Sequence, residues 1–271
     1  MTGARDSMNL RSLLPETMSR LTWKASTGLA VTAALALPLA MAPVTPQAQR
    51  TVIHNNQQWF QYYTQTKTGD RTMVYVDAGV RSVDGFSRWS QHLARAGFGY
   101  VLRGPWQGVT GIAFFGFFDQ GIRARDEWRV YQEANRTDRP GRWTLQNRLR
   151  VEARFFRNRP DGPMGAGSSF NFRFRYRLQG MTRIAELSSA RERRVMLSLA
   201  DEVFINAGRS IVYNTFDNNR LVMGPVLQWN PDLQVGLLYN HQFGHRNRPE
   251  TYEDSDILWL TVTHRFGFNK D

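Results

Sequence analysis

Charged side chains recur at alternate positions along much of this chain, separated by apolar ones. Phe170, Phe172, Phe174, Tyr176 and Leu178 alternate with Asn171, Arg173, Arg175, Arg177 and Gln179. The preceding segment sets Trp143, Leu145, Asn147, Leu149, Val151, Ala153 and Phe155 against Gln146, Arg148, Arg150, Glu152 and Arg154. Earlier still, Trp128 and Val130 oppose Glu127, Arg129, Tyr131 and Glu133, and Glu202 and Arg220 follow downstream. A guanidinium is always charged and pairs bidentately with carboxylate or phosphate. Two chemistries follow from Glu127, Arg129, Glu133, Arg148, Arg150, Glu152, Arg154, Arg173, Arg175, Arg177, Glu202 and Arg220 on one face. Opposite charges on neighbouring strands lie about 5 Å apart, so the set can be a structural network that fills a narrow interior. Alternatively, the excess of Arg over Glu lines a path for small anionic solutes.

Other chemistries have thinner support. A hydrolase or acyltransferase acting on lipid or envelope glycan needs a nucleophile, a base and an orienting group. The candidates are His241 and His245, which flank Gln242-Phe243-Gly244, with Ser198 and Ser210 elsewhere and His264 on an apolar face. No ordered motif joins them, and no catalytic residue is assigned. The acids Glu250, Glu253, Asp254 and Asp256, with Tyr252 among them and His245 upstream, could offer oxygen ligands to a divalent cation. They read better as a solvated loop, so neither a metal nor a cofactor is expected. Cysteine is absent, which excludes disulfides and thiolate metal sites. Glycines 97, 99, 104, 108, 111 and 116 precede no helix and so form no phosphate loop; they suit close strand packing or bends. The net charge of +12 would suit nucleic acid, but the basic residues alternate with apolar ones inside strands instead of forming one patch.

The elements that must carry these residues have a period of two. Segments 57–67, 71–82, 91–103, 107–118, 124–134, 142–156, 168–179, 194–206, 217–229, 232–243 and 257–268 alternate apolar with polar and are bounded by Gly, Pro, Asn and Asp. One turn of helix is expected around Ile184 to Arg193. An arginine facing lipid near the bilayer midplane costs about 2–4 kcal/mol, so in a membrane barrel the aromatic face of 169–179 points outward and the arginines inward. A lipocalin-like soluble barrel would reverse that arrangement. Long regular strands, dense charge on the inner candidate faces and a final strand carrying Leu258, Leu260, Val262, Phe266 and Phe268 favour the membrane form. A mean hydropathy of −0.48 agrees with such alternation and contains no polytopic helical pattern.

Met18 to Lys24 is a short basic segment leading into the uncharged Ala25 to Ala42, which reads as a secretory signal peptide cleaved near Ala48. The chain therefore divides into an extension and signal peptide, 1–48, and a transmembrane antiparallel β-barrel, 49–271. Connections near 68–70, 104–105 and 230–231 are tight, whereas those near 84–85, 158–167 and 244–255 are longer, which places the long set outside the cell and the C-terminus in the periplasm. By this parity strand 57–67 descends. An even barrel of about twelve strands, with ten or eleven as alternatives, then needs a strand that the pattern does not show.

The ordered pieces carry a resemblance. They are Trp59, Arg81, Ala96-Gly97-Phe98-Gly99-Tyr100, Asp126-Glu127-Trp128-Arg129, Arg148-Leu149-Arg150-Val151-Glu152, Phe172-Arg173-Phe174-Arg175, Asp201-Glu202-Val203-Phe204 and Asn218-Asn219-Arg220. Together they resemble the bacterial family called domain of unknown function 2490, predicted outer-membrane barrels, over most of 57–268. The resemblance implies fold and location; the family has no assigned activity and so no catalytic residues to carry over. The expectation is a Gram-negative outer-membrane barrel, a structural barrel or a narrow pore. Its partners would be membrane lipid and lipopolysaccharide, the barrel-assembly machinery during insertion, and small anionic solutes.

Overall fold

A computed structural model describes residues 50–189 and 192–267. The expected signal peptide, 1–48, and Phe268 of the expected last strand lie outside the described residues. Eleven strands are described: β1 (Thr51–Lys67), β2 (Thr72–Val83), β3 (Arg88–Val101), β4 (Trp106–Asp119), β5 (Ile122–Asp138), β6 (Trp143–Asn158), β7 (Gly167–Ser188), β8 (Arg193–Ala207), β9 (Phe216–Gln228), β10 (Leu233–His245) and β11 (Thr251–Phe266). They form one closed barrel in which each strand pairs with its neighbours in sequence and β1 pairs with β11.

Every sequential pair is antiparallel, but β1 and β11 run parallel, with Trp59 opposite Trp259 and Phe60 opposite Leu260. This pairing corrects the expectation of about twelve strands. The descending first strand needs no unseen companion, because a parallel seam closes an odd barrel without leaving an unpaired edge. Two of the boundary differences have one cause. β1 starts at Thr51 and β11 at Thr251, each earlier than expected, and the added residues pair with each other from Thr51↔Thr251 to Asn56↔Asp256. Neither run alternates: Thr51–Asn56 sets Val52 beside Ile53, and Thr251–Asp256 is acidic, so a period of two could not reveal them.

The turn of helix expected around Ile184 to Arg193 is confined to the end of that span, where the Glu192 N–H donates to the Ser189 carbonyl at 3.2 Å. β7 continues as strand to Ser188, with register shifts against β8 at Arg183/Ala185 and Glu186/Ser188. A bulge inserts an unpaired residue and so blurs the period-two pattern that would have marked the strand.

The connections after β2, β4, β6, β8 and β10 share one rim, here the loop rim, with the start of β1. Those after β1, β3, β5, β7 and β9 share the other, the turn rim, with the end of β11. The tight and longer sets anticipated from the sequence thus lie at opposite ends. The shortest loop-rim connection is Gln120-Gly121, with φ of 48° and 83°. Two positive φ values make a type I′ hairpin turn, whose twist matches the flanking strands.

The faces separate as the energetic argument requires. Trp128, Val130 and Leu149 point outward and are 54 %, 51 % and 55 % exposed, while Glu127 and Glu152 point inward and are fully buried. Phe170, Phe172, Phe174, Tyr176 and Leu178 continue the outer belt. The interior is less uniformly polar than expected. Leu93, Val109, Ala113, Phe115 and Tyr131 pack together inside β3–β5, and Val222, Val226 and Leu238 inside β9–β10. The glycines of β3 and β4 make the first cluster possible. A Cβ at Gly97 would meet the Tyr131 hydroxyl at 2.7 Å, and one at Gly111 would meet both its ring and its hydroxyl at 2.5 Å. Tyr131 therefore lies flat over two residues without side chains.

Candidate functional site

The inner wall of β5–β9 brings the sequence-predicted charges together. Register places Glu133 opposite Arg150, Glu152 opposite Arg173, and Glu202 between Arg177 and Arg220. Glu127 accepts from Arg129 Nε at 2.6 Å and from Arg154 Nε at 2.5 Å. Glu152 accepts from Arg175 at 2.7 Å and from Arg129 and Arg150 at 3.3 Å each. Glu202 accepts from Arg148 at 2.5 Å and Arg175 Nε at 2.9 Å, with Arg220 at 3.7 Å. Glu133 binds Arg150, Arg173 pairs with Asp217 at 2.6 Å, and Arg177 donates to Gln146 at 2.8 Å. All twelve residues lie on one wall, ten of them joined carboxylate to guanidinium, with Arg173 and Arg177 held beside them by Asp217 and Gln146.

Aromatic rings back this wall. The guanidinium of Arg129 lies 3.7 Å from the Phe115 ring centroid, and those of Arg175 and Arg150 lie 4.5 Å from Phe204 and Tyr131. A desolvated guanidinium gains from a ring face as well as from its carboxylate. Arg150 and Arg175 are each 7 % exposed and Glu202 is 2 % exposed. A water-filled passage would leave its lining accessible, so the barrel is filled at this level.

The opposite wall has its own set, which the alternation reading did not single out. Asp77 accepts from Gln61 at 2.6 Å and from Arg95 Nε at 2.9 Å. Trp59 meets Trp259 edge to face at 5.4 Å, and the Arg81 guanidinium stacks on Trp59 at 3.5 Å. Among the described residues no carboxylate lies within ion-pair distance of Arg81. The available signal was Tyr75, Asp77, Gly79 and Arg81 alternating with Val74, Val76, Ala78 and Val80. The Trp59–Arg81 pairing itself depends on strand register.

Between these walls and the loop rim lies a cavity of about 970 Å³. Arg81, Arg125, Phe117, Phe156, Phe204 and Asn171 are among its lining. Three register shifts border it, at Arg81/Ser82, Phe117/Phe118 and Phe204/Ile205. Bulges re-aim side chains next to functional sites.

The remaining candidates sit apart from this cavity or at its edge. His241 lies on the outer surface, with Nδ1 3.2 Å from Asp256 and Nε2 3.5 Å from Asp254. Asp254 also meets His54 at 3.4 Å, and Tyr239 donates to Asp256. Ser198 is buried inside and accepts from Gln179 at 3.1 Å, whereas Ser210 donates to the Phe170 carbonyl at 2.9 Å. His245 stacks on Tyr252 at 4.6 Å, and His264 Nδ1 lies 3.1 Å from the Tyr62 hydroxyl. Glu250 and Glu253 are held by Arg50 at 3.6 Å and Arg246 at 3.0 Å. Among the described residues no group of three acidic or histidine side chains is disposed to hold a metal ion.

A family model described as Protein of unknown function (DUF2490) matches residues 56–253. No curated protein and no solved structure matches the chain.

Proposed function

The chain belongs to the DUF2490 family, and from the geometry of this member we propose that it is an outer-membrane β-barrel of a Gram-negative bacterium whose interior is closed at mid-height. The loop rim faces the cell exterior and the turn rim the periplasm. Lipid and lipopolysaccharide surround the belt, and the barrel-assembly machinery inserts it. The observation that carries this reading is the division of faces: Trp128, Val130, Leu149 and Phe172 outside, Glu127 and Glu152 fully buried inside. A belt of that extent exceeds the apolar patches that soluble monomers leave in water.

Closure follows from the Arg/Glu wall. Residues 150, 175 and 202, which an anion path would have to pass, are bonded to one another's partners and shielded from water. The barrel acts as a membrane-embedded scaffold that presents its loop rim, not as a diffusion pore. Reconstitution of the full chain in planar bilayers is the test. The expected result is insertion without steady open-channel current; a sustained anion-selective conductance would overturn closure. A chain that stays monomeric and dispersed in buffer without detergent would overturn the membrane assignment.

A further inference from the structure

Most arginines inside the barrel have a carboxylate; two at the loop-rim cavity do not. Arg81 lies against Trp59 at 3.5 Å, and the charged side chains acting on it include Arg220, Arg129 and Arg95. Arg125 lies between Phe117 and Phe156, 4.7 Å and 4.9 Å from their centroids. Glu127 acts on it from beyond ion-pair distance, opposed by Arg154 and Arg129, and it makes no ion pair among the described residues. In both residues the Nε atom is buried and has no hydrogen-bond partner. The surplus extends to the whole cavity, which nine arginines and four carboxylates line.

Unmatched acceptors lie beside these donors. The side-chain oxygens of Asn171 and Asn214 are buried without partners, and both residues line the same cavity. Asn171 is only 7 % exposed. Buried polar atoms are nearly always satisfied. Unmatched atoms occur elsewhere in the barrel too, at Arg148, Arg177 and Trp259 among others, but at this cavity donors and acceptors lie together beside space for a ligand that supplies the missing partners. Unpaired guanidiniums ask for an oxyanion, and unpaired amide oxygens ask for hydroxyl donors.

We propose that the loop-rim cavity binds a hydroxylated organic anion, a sugar acid or sugar phosphate, with Arg81 and Arg125 on the oxyanion and Asn171 and Asn214 on ring hydroxyls. The volume of about 970 Å³ is at the upper end of small-molecule sites and admits more than one sugar ring. Stacking on Trp59, Phe117 and Phe156 holds the two guanidiniums in place before the ligand arrives, so little side-chain entropy is lost on binding. The proposal needs the loop rim open to solvent and does not depend on the belt lying in lipid or on closure to ion flow.

The full chain in detergent micelles is titrated calorimetrically with glucuronic acid, glucose 6-phosphate, glucose and trigalacturonic acid. The acidic ligands are expected to bind, with affinity falling as salt rises, and glucose is not. Tighter binding of the trisaccharide assigns the site to an acidic polysaccharide; equal binding of the monosaccharides assigns it to free small anions. Arg81→Gln and Arg125→Gln each weaken binding at least tenfold, whereas Arg183→Gln, on the exposed surface near the turn rim, leaves it unchanged. Asn214→Asp, in the loop between β8 and β9, places a repelling carboxylate in the cavity without touching the Trp59 stack and is also expected to weaken binding tenfold. Glucose binding as tightly as the acids, no acid binding at millimolar concentration, or folded Arg125→Gln and Asn214→Asp proteins that bind like the parent would each overturn the proposal.

Discussion

Replacing Glu152 by Gln tests whether the inner wall is a mutually dependent network. The carboxylate is fully buried and serves Arg175 at 2.7 Å and Arg129 and Arg150 at 3.3 Å. Glutamine keeps the shape and one acceptor but removes the charge. Each arginine keeps a second carboxylate: Glu202 for Arg175, Glu127 for Arg129 and Glu133 for Arg150. That moderates the loss. Against it, the twelve wall residues comprise eight arginines and four glutamates, so the variant enlarges an existing excess of positive charge in a desolvated space. Breaking a buried pair by removing one partner costs about 3–5 kcal/mol, and the retained carboxylates place this case near the lower end, about 3 kcal/mol. Urea unfolding of the refolded barrel in detergent, followed by tryptophan fluorescence, would show the midpoint falling with an unchanged slope. Adding Arg175→Met removes the surplus charge and is expected to recover most of that loss. A single-variant loss of less than about 1 kcal/mol, the range of solvent-exposed pairs, would show that the wall is not a desolvated network.

Val130→Arg places a guanidinium on the outer belt and should cost about 2–4 kcal/mol of folding stability in vesicles if it lies near the midplane; no penalty would remove the belt from the lipid. The parallel seam predicts that cysteines at Phe60 and Leu260, which face each other across β1 and β11, form a disulfide on mild oxidation; failure to cross-link, or preferential cross-linking of Phe60→Cys with Leu258→Cys, would refute the register. Gly111→Val drives a branched side chain into the Tyr131 ring and should cost about 1–3 kcal/mol by overpacking, measured by the same urea titration. Pairing it with Tyr131→Ala should relieve most of that cost.

The period-two pattern carried most of the architecture because each strand separates an apolar face from a charged one. At 169–179 and 143–155 the alternation, together with the cost of an arginine facing lipid, identified the buried arginines and glutamates, and the lengths of the connections sorted the two rims. Where a strand lacks alternation, as in Thr51–Asn56 with Val52 beside Ile53 and in the acidic Thr251–Asp256, no period remains to be read and pairing becomes a property of the closed sheet. The alternation shows all eleven strands; the preference for twelve comes from requiring an even barrel, and that requirement fails here. Parity depends on the direction in which β1 meets β11, a contact between segments about 200 residues apart. Arg81 and Arg125 were hidden differently. Their residue types were plain, but what sets them apart is the lack of a carboxylate partner, which only the assembled register defines.

The parallel seam has a consequence for how the protein can be handled. An odd number of strands leaves Thr51 at the loop rim and Gly267 at the turn rim. The two ends of the described barrel therefore lie at opposite rims, and in the membrane orientation proposed above they open on opposite sides of the bilayer. A short epitope inserted just before Thr51 would be labelled by an impermeant antibody on intact cells, while one following Gly267 would be labelled only after the envelope is opened. An even barrel would expose both epitopes together or hide both, so two labelling experiments on whole cells count the strands modulo two.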